Sequence, residues 1–185
     1  MQHLPYLLLF LLHFSLMSAA ERAYPRTAVG CMEIKTLPAA TLIASRSEAK
    51  YFDRNNGLFM PLFRYIQSND IAMTTPVESE ISPGVMYFHI GKATASERLI
   101  NTPSVSIHLM AERHVASIGL RGSYSAENFK TGEQQLAAWL AIHPNYQRAG
   151  AARGVFWNSP FMPALFKRSE IHIPVTKIAS TAPYN

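Results

Sequence analysis

Glu78 and Glu80 stand two positions apart beside Pro76, so both carboxylates would share one face of a strand and one could serve as acid, the other as base. The other reading, two solvated charges at a strand end, is the expected one, since carboxylates seldom leave water. Beyond this pair the chain offers little catalytic material. Asp53 and Asp70 are the only aspartates, and there is neither a Gly-x-Ser-x-Gly nucleophile turn nor a glycine-rich phosphate loop. After residue 20 the histidines are His89, His108, His114, His143 and His172; no two are four apart, and HExxH and paired cysteines do not occur. No catalytic residue is assigned, and a non-enzymatic role is expected.

Length and composition set the frame for these residues. With 185 residues and 48% hydrophobic content the chain can close one core. Cys31 is the single cysteine, which excludes an internal disulfide and any multi-cysteine zinc site. It is read as a small apolar residue near the first strand, and it lies too far beyond the N-terminal apolar run to be a lipid-modified cysteine. The formal charge of +5 admits anionic partners: carboxylate-bearing small ligands, anionic lipid surfaces or nucleic acid. Nucleic acid is the weakest of these, because the basic residues are scattered singly.

The N-terminal PYLLLFLLHFSLMSAA is apolar from Pro5 to Met17 and ends in small residues. It is shorter than the ~20 residues of a spanning helix and reads as a secretory signal over residues 1–20. A retained anchor is the competing reading, since the leading MQH carries no Lys or Arg. Export is expected, to the periplasm in a bacterium and otherwise into the secretory pathway, with no integral membrane span after signal removal.

Periodicity divides the remainder into two similar halves, each strand, helix, strand, strand. In the first half, residues 33–48 read as strand with a turn at Leu37-Pro38. A helix follows with Phe52, Phe59, Leu62, Phe63 and Ile66 on one face, its regular part starting near Leu58 because Pro61 is tolerated only in a first turn. IAMTTPVESEI and VMYFHIGK then form two strands around Ser82-Pro83-Gly84. In the second half HVASIGLRG echoes ATLIASRSE, and a helix from about Ser125 buries Phe129, Leu136 and Leu140 and ends at His143-Pro144. GVFWNS and SEIHIPV complete it. Helices separated by strand pairs argue for an α+β fold with an antiparallel or mixed sheet.

Two blocks carry a resemblance to a known family. GLFMPLFRYIQSNDIAMTTPV resembles the Phe-x-x-Leu-x-x-Tyr-Ile helix and Ile-x-Met-Thr-x-Pro-Val strand of the SOUL haem-binding proteins, through Phe59, Leu62, Tyr65, Ile66, Ile71, Met73, Thr74, Pro76 and Val77. FWNSPFMPALFKRSEIHIPV is similar to the family's C-terminal pattern through Phe161, Pro163, Lys167, Arg168, Glu170 and Pro174. The resemblance implies a distorted antiparallel β-barrel of two pseudo-repeats with two helices packed outside. The organisation expected is a signal peptide at 1–20, an N-terminal extension at 21–29, a SOUL-like haem-binding domain at 30–176 and a C-terminal tail at 177–185.

It also implies a binder of haem (b-type, non-covalent) or another tetrapyrrole in a hydrophobic groove beside the first helix, which together with the N-terminal run gives the expectation of an exported binding protein. Such a site needs an apolar slot, cations for the propionates and often an axial side chain. Met60, Phe63 and Met73 are the groove candidates, with plain core as the competing role, preferred for Phe63. Arg54 and Arg64 are the propionate-contact candidates, though a solvated helix face would also account for them. His89 is the axial candidate, against the commoner role of a structural histidine; no metal is expected besides the haem iron. The partner is a small porphyrin rather than nucleic acid. A tetrapyrrole-processing enzyme and an effector-sensing or protein-interaction module of the same fold are the alternatives.

Overall fold

A computed structural model describes residues 20–92, 94 and 99–178. The expected signal peptide, Ala20 apart, lies outside the described residues, as do the tail residues after 178. The first half comprises β1 (Glu21–Arg22), β2 (Met32–Leu37), β3 (Ala40–Ser47), α1 (Phe59–Ser68), β4 (Thr74–Thr75), β5 (Val77–Glu80) and β6 (Gly84–His89). The second comprises β7 (Ser106–Met110), β8 (Arg113–Arg121), α2 (Ala126–Ala141), β9 (Tyr146–Arg148), β10 (Arg153–Phe156) and β11 (Arg168–Lys177). Among the described residues no helix is long and apolar enough to cross a membrane.

The main sheet runs β2-β8-β11-β10-β5-β6-β3-β7, antiparallel throughout, with β9 added on β11. This is the curled, half-barrel α+β arrangement that the resemblance implies. The order is symmetric about the β10-β5 junction, where Val155 faces Glu78. Each half also lends a strand to the other: β2 pairs with β8, and β7 pairs with β3. The turn at Pro38-Ala39 therefore joins two strands that are not neighbours, and the halves interlock.

Alternation along the strands sends one set of side chains to the helices and the other to the concave face. Ile43, Met86 and Phe88 meet Leu62, Tyr65 and Ile66 of α1. Ala116, Ile118, Ile171 and Ile173 meet Leu136 and Leu140 of α2. Each fully buried Leu or Ile of these clusters contributes ~1.5–3 kcal/mol by leaving water. Gly132 lets α2 approach closely, for a Cβ there would lie 2.7 Å from Leu120 Cδ1.

The helix boundaries follow local chemistry. Pro61 is the third residue of α1, inside its first turn. Ser125 caps α2, its side chain accepting from Asn128 N at 3.2 Å. The buried stripe of α1 differs from the expected one: Leu62, Tyr65 and Ile66 face the core, Phe59 is exposed and Phe63 half-buried, while Phe52 precedes the helix. Tyr65 turns inward because Ile100 satisfies its hydroxyl, which accepts from Ile100 N at 2.9 Å and donates to Ile100 O at 3.0 Å. Cys31 is exposed, so it does not serve as a small core residue.

Residues 21–29, expected as an extension, are built into the fold. β1 pairs in parallel with β4, Tyr24 is buried beside Val115, Val155 and Trp157, and Val29 bridges to Gly119. Gly119 makes this approach possible: a Cβ there would sit 2.6 Å from Thr27 O and closer still to Ala28 O. Gly119→Ala is therefore expected to cost ~1–3 kcal/mol, as overpacking against backbone does, read as a lower urea midpoint. Gly150→Ala, whose Cβ would meet only Pro174 at ordinary contact distance, is the near-neutral control. Equal midpoints for the two variants would refute the close fit of this segment.

Candidate functional site

The concave face carries two buried carboxylates, and one of them, Glu78, was expected as solvated charge. Glu78 is 1% exposed. Its Oε1 accepts from Tyr24 Oη and His89 Nε2, both at 2.9 Å, and from Arg113 Nη2 at 3.0 Å. Arg113 Nη2 also reaches Oε2, at 3.1 Å, and Arg153 Nη1 stands 3.7 Å from it. Burial alone would raise the Glu78 carboxyl, but the hydrogen bond and charge of His89 and the charge of Arg113 outweigh it and hold Glu78 well below the usual carboxylate range. Glu80 is only partly covered; it takes Tyr87 Oη at 2.9 Å and Arg153 Nη2 at 2.6 Å. The two glutamates thus share Arg153 rather than forming an acid and base pair.

Glu170, on β11, is the second buried carboxylate. Oε1 accepts from Thr27 N and Trp157 Nε1, both at 2.8 Å. Oε2 accepts from Lys35 Nζ and His172 Nε2, both at 2.7 Å, and from Ser117 Oγ at 3.0 Å. Burial pushes the Glu170 carboxyl up, but His172 and Lys35 draw it down to about 2. His172, fully buried, is itself lowered by desolvation despite Glu170. Tyr24 lies between the two centres, its ring 5.5 Å from that of His89, 5.9 Å from His172 and 5.6 Å from Trp157. Burial and then Glu78 keep its hydroxyl protonated far above neutrality.

Beside Tyr24 and His89 opens a groove of about 510 Å³, walled by Glu21, Thr41, Leu109 and Met110 among others. His89 Nδ1, Arg113 Nη1 and Arg153 Nη1 are buried with no protein partner among the described residues. The carboxylates themselves are fully engaged, and Tyr24 stands against His89 and Glu78. This network binds the sheet together by engaging both carboxylates, and among the described residues it leaves Nδ1 of His89, a residue that lines the groove, without a partner.

The other site candidates lie across the sheet. Phe88 faces α1, so His89, its neighbour on β6, points away from Met60 and Phe63. The structure does not bring His89 together with the groove candidates. Phe59 and Phe63 stack at 5.4 Å with planes 19° apart at the margin of the core: Phe63 is half-buried against it, in line with its competing core role, and Phe59 meets Phe88 edge-on. Met60 is 48% exposed, and Arg64, four residues on, shares its side of α1. Met73, 40% exposed, precedes β4, and Arg54 is exposed in the turn before α1.

Sequence reasoning missed Tyr24, Lys35, Arg113, Arg153 and Trp157, and gave Glu170 no role beyond its place in a motif. A signal was present in the run Glu170-Ile171-His172-Ile173, where polar residues alternate with apolar ones along a strand.

Residues 21–174 match the profile of a family described as SOUL heme-binding protein. No curated protein sequence matches significantly. Among solved structures, the crystal structure of the EcmrR C-terminal domain superposes with a TM-score of 0.64 at 12% identity, over 80% of this chain and 98% of that one. EcmrR in its cryo-EM complex with DNA gives the same TM-score and identity, but this chain spans only 58% of its length. A protein from Listeria innocua described as a hydrolase gives 0.54 at 10% identity, over 86% of this chain and 94% of that one. At these identities the likeness is one of fold.

The buried network makes stability depend on pH in a defined sense. In the unfolded chain a Glu carboxyl titrates near ~4.3 and a His near ~6.5. Both Glu170 and His172 are lowered in the fold, so on acidification the unfolded chain takes up protons first and stability falls. The loss begins as pH drops through about 6.5, through His172, and continues from about 4.3 toward 2 as the carboxylates protonate. Glu170→Gln is expected to be less stable at neutral pH by ~3–5 kcal/mol, because Lys35 loses its buried partner. Urea midpoints measured from pH 7 down to pH 3 should also show a flatter acid limb for the variant; parallel limbs would exclude Glu170 as a source of the acid sensitivity.

Proposed function

The chain belongs to the SOUL heme-binding protein family, and we propose that it binds haem or a related tetrapyrrole non-covalently on the outer face of α1. The observation that carries this reading is the partly uncovered apolar surface there: exposed Met60 beside the edge of the Phe59 and Phe63 stack, with Arg64 alongside. A flat hydrophobic ring gains by covering such a surface, and the thioether of Met60 adapts to its shape. Arg64 on the helix and Arg54 ahead of it supply cations of the kind that propionates seek. Met73 extends the apolar set. Bound haem would bring a redox-active iron and a strong absorbance; the residues of this face bind and orient the ring and shield one side from water.

His89 stays outside this site, because its Nε2 is engaged by Glu78 on the opposite face of the sheet. Met60 and Met73 are then the only groove candidates with an iron-binding atom, and a weakly coordinated, exchangeable ring suits buffering or transfer better than catalysis. The apolar N-terminal run supports placing this function outside the cytoplasm, in the periplasm of a bacterium or in a secretory pathway.

Absorbance titration with haem tests the assignment. The Soret band is expected to shift at micromolar haem, and Met60→Glu or Phe63→Ser should weaken binding about tenfold or more, since covering one large apolar side chain is worth more than ~1.4 kcal/mol. His89→Ala is expected to leave the Soret position unchanged. Absence of any shift in the unaltered protein would dispose of the reading, and a Soret change in the His89 variant alone would move the ring to the concave face.

A further inference from the structure

The loop between β10 and β11 exposes its apolar side chains although its backbone is firmly held. Phe161 is 95% exposed and Leu165 65%, and Met162 and Phe166 are also exposed. The neck of the loop is tied across. Asn158 Oδ1 accepts from Arg168 N at 2.7 Å, Trp157 N donates to Arg168 O at 3.1 Å, and Tyr124 Oη accepts from Asn158 N at 3.0 Å and donates to Arg168 O at 2.8 Å. Pro160, Pro163 and a short 3-10 turn at Ala164–Phe166 stiffen the tip. A tethered tip that keeps a phenyl ring in water has had its ordering cost met without any apolar gain in the monomer.

Basic groups gather at the neck. A recess of about 360 Å³ beside Trp157 is walled by Arg22, Arg26, Thr27, Leu120 and Arg168, and no acidic residue lines it. Arg26 lies over the Trp157 ring at 5.8 Å, and Arg168 donates to Leu165 O and Lys167 O. Arg121 is opposite Arg168 in the strand register, and Lys167 covers the Tyr124 ring at 5.1 Å. Of the carboxylates near these residues in sequence, Glu21 lines the separate groove beside His89, and Glu170 is already engaged by Lys35, His172, Thr27 and Trp157.

We propose that this loop docks the protein on an anionic lipid bilayer, with Phe161 and Leu165 entering the acyl region and the recess of Arg22, Arg26 and Arg168 receiving a lipid phosphate. The layering argues for a bilayer: an apolar tip above a cationic collar matches the acyl and phosphate depths of a membrane in order. The net charge of +5 acts in the same direction. This surface is distinct from the α1 face, and its test does not involve haem.

The test uses the full chain with Cys31→Ser, labelled through Leu165→Cys with an environment-sensitive fluorophore, so that the loop is read directly whatever residues 1–20 do. Vesicles of phosphatidylcholine with one part in about three phosphatidylglycerol are expected to shift the emission to the blue, and pure phosphatidylcholine to leave it unchanged at the same lipid concentration. Phe161→Ser, or Arg22→Gln with Arg26→Gln, should raise the lipid needed about tenfold, and so should a rise in salt. The same label at Ile142→Cys, on the exposed end of α2, should not respond. No shift at Leu165, an equal shift with neutral vesicles, or unchanged response in both variants overturns the proposal. So does protection by inorganic phosphate alone without vesicle binding, which would make the recess a free-anion site, or a shift produced only by a soluble protein.

Discussion

Two carboxylates inside the sheet must be paired, and most of the architecture can be understood as the means of pairing them. A buried carboxylate left without partners costs several kcal/mol even after relaxation. Glu78 and Glu170 draw donors from widely separated parts of the chain: Tyr24 and Thr27 from the N-terminal segment, Lys35 from β2, His89 from β6, Arg113 and Ser117 from β8, and Trp157 just after β10. Lys35 reaches Glu170 because β2 lies against β8 of the other half, which in turn pairs with β11. The network therefore specifies one strand register and one path for residues 21–29, while the two apolar clusters under the helices supply the bulk of the burial free energy.

This division of labour leaves the two faces of the sheet with different surfaces. The concave face is filled at its centre by Tyr24 and by carboxylates whose charges are already matched, and beside them the groove at His89 stays open. The convex face is covered by helices that bury their own stripes and leave a margin. On α1 that margin carries Met60, with Phe59 and Phe63 only partly covered where they pack at the edge of the core beside Phe88. The β10-β11 loop is a second apolar surface, held by Tyr124 and Asn158 rather than by packing. A small aromatic ligand and a bilayer would then be met on separate surfaces without disturbing the carboxylate network.

The element boundaries and the two-half plan were legible because they rest on local physics: proline in a first helical turn, a serine cap, and apolar periodicity. The echo between halves also identified equivalent strands, but in the wrong register. Laid end to end, ATLIASRSE and HVASIGLRG set Ile43 against Ser117. In the structure Ile43 packs under α1, whereas Ser117 faces Glu170. A shift of one residue exchanges the two faces of a strand, so a short echo can be right about the strand and wrong about the side. The same limit hid Glu78: pattern shows that it alternates, and only pairing with Val155 and Tyr87 shows that its side is closed.

By itself the sequence determined the family, through two motif blocks, the fold class, through repeated strand, helix and strand pairs, and the position of Pro61 in the first turn of α1. Tertiary structure alone decided that β2 and β7 exchange partners, that residues 21–29 belong to the fold, that Glu78 and Glu170 are buried and paired, and that His89 and Met60 lie on opposite sides of the sheet. The reason is the range of the forces involved. Periodicity and capping act over a few residues, while the environment of a charge is set by groups as distant in sequence as Thr27 and Glu170, which meet only after the strands have paired.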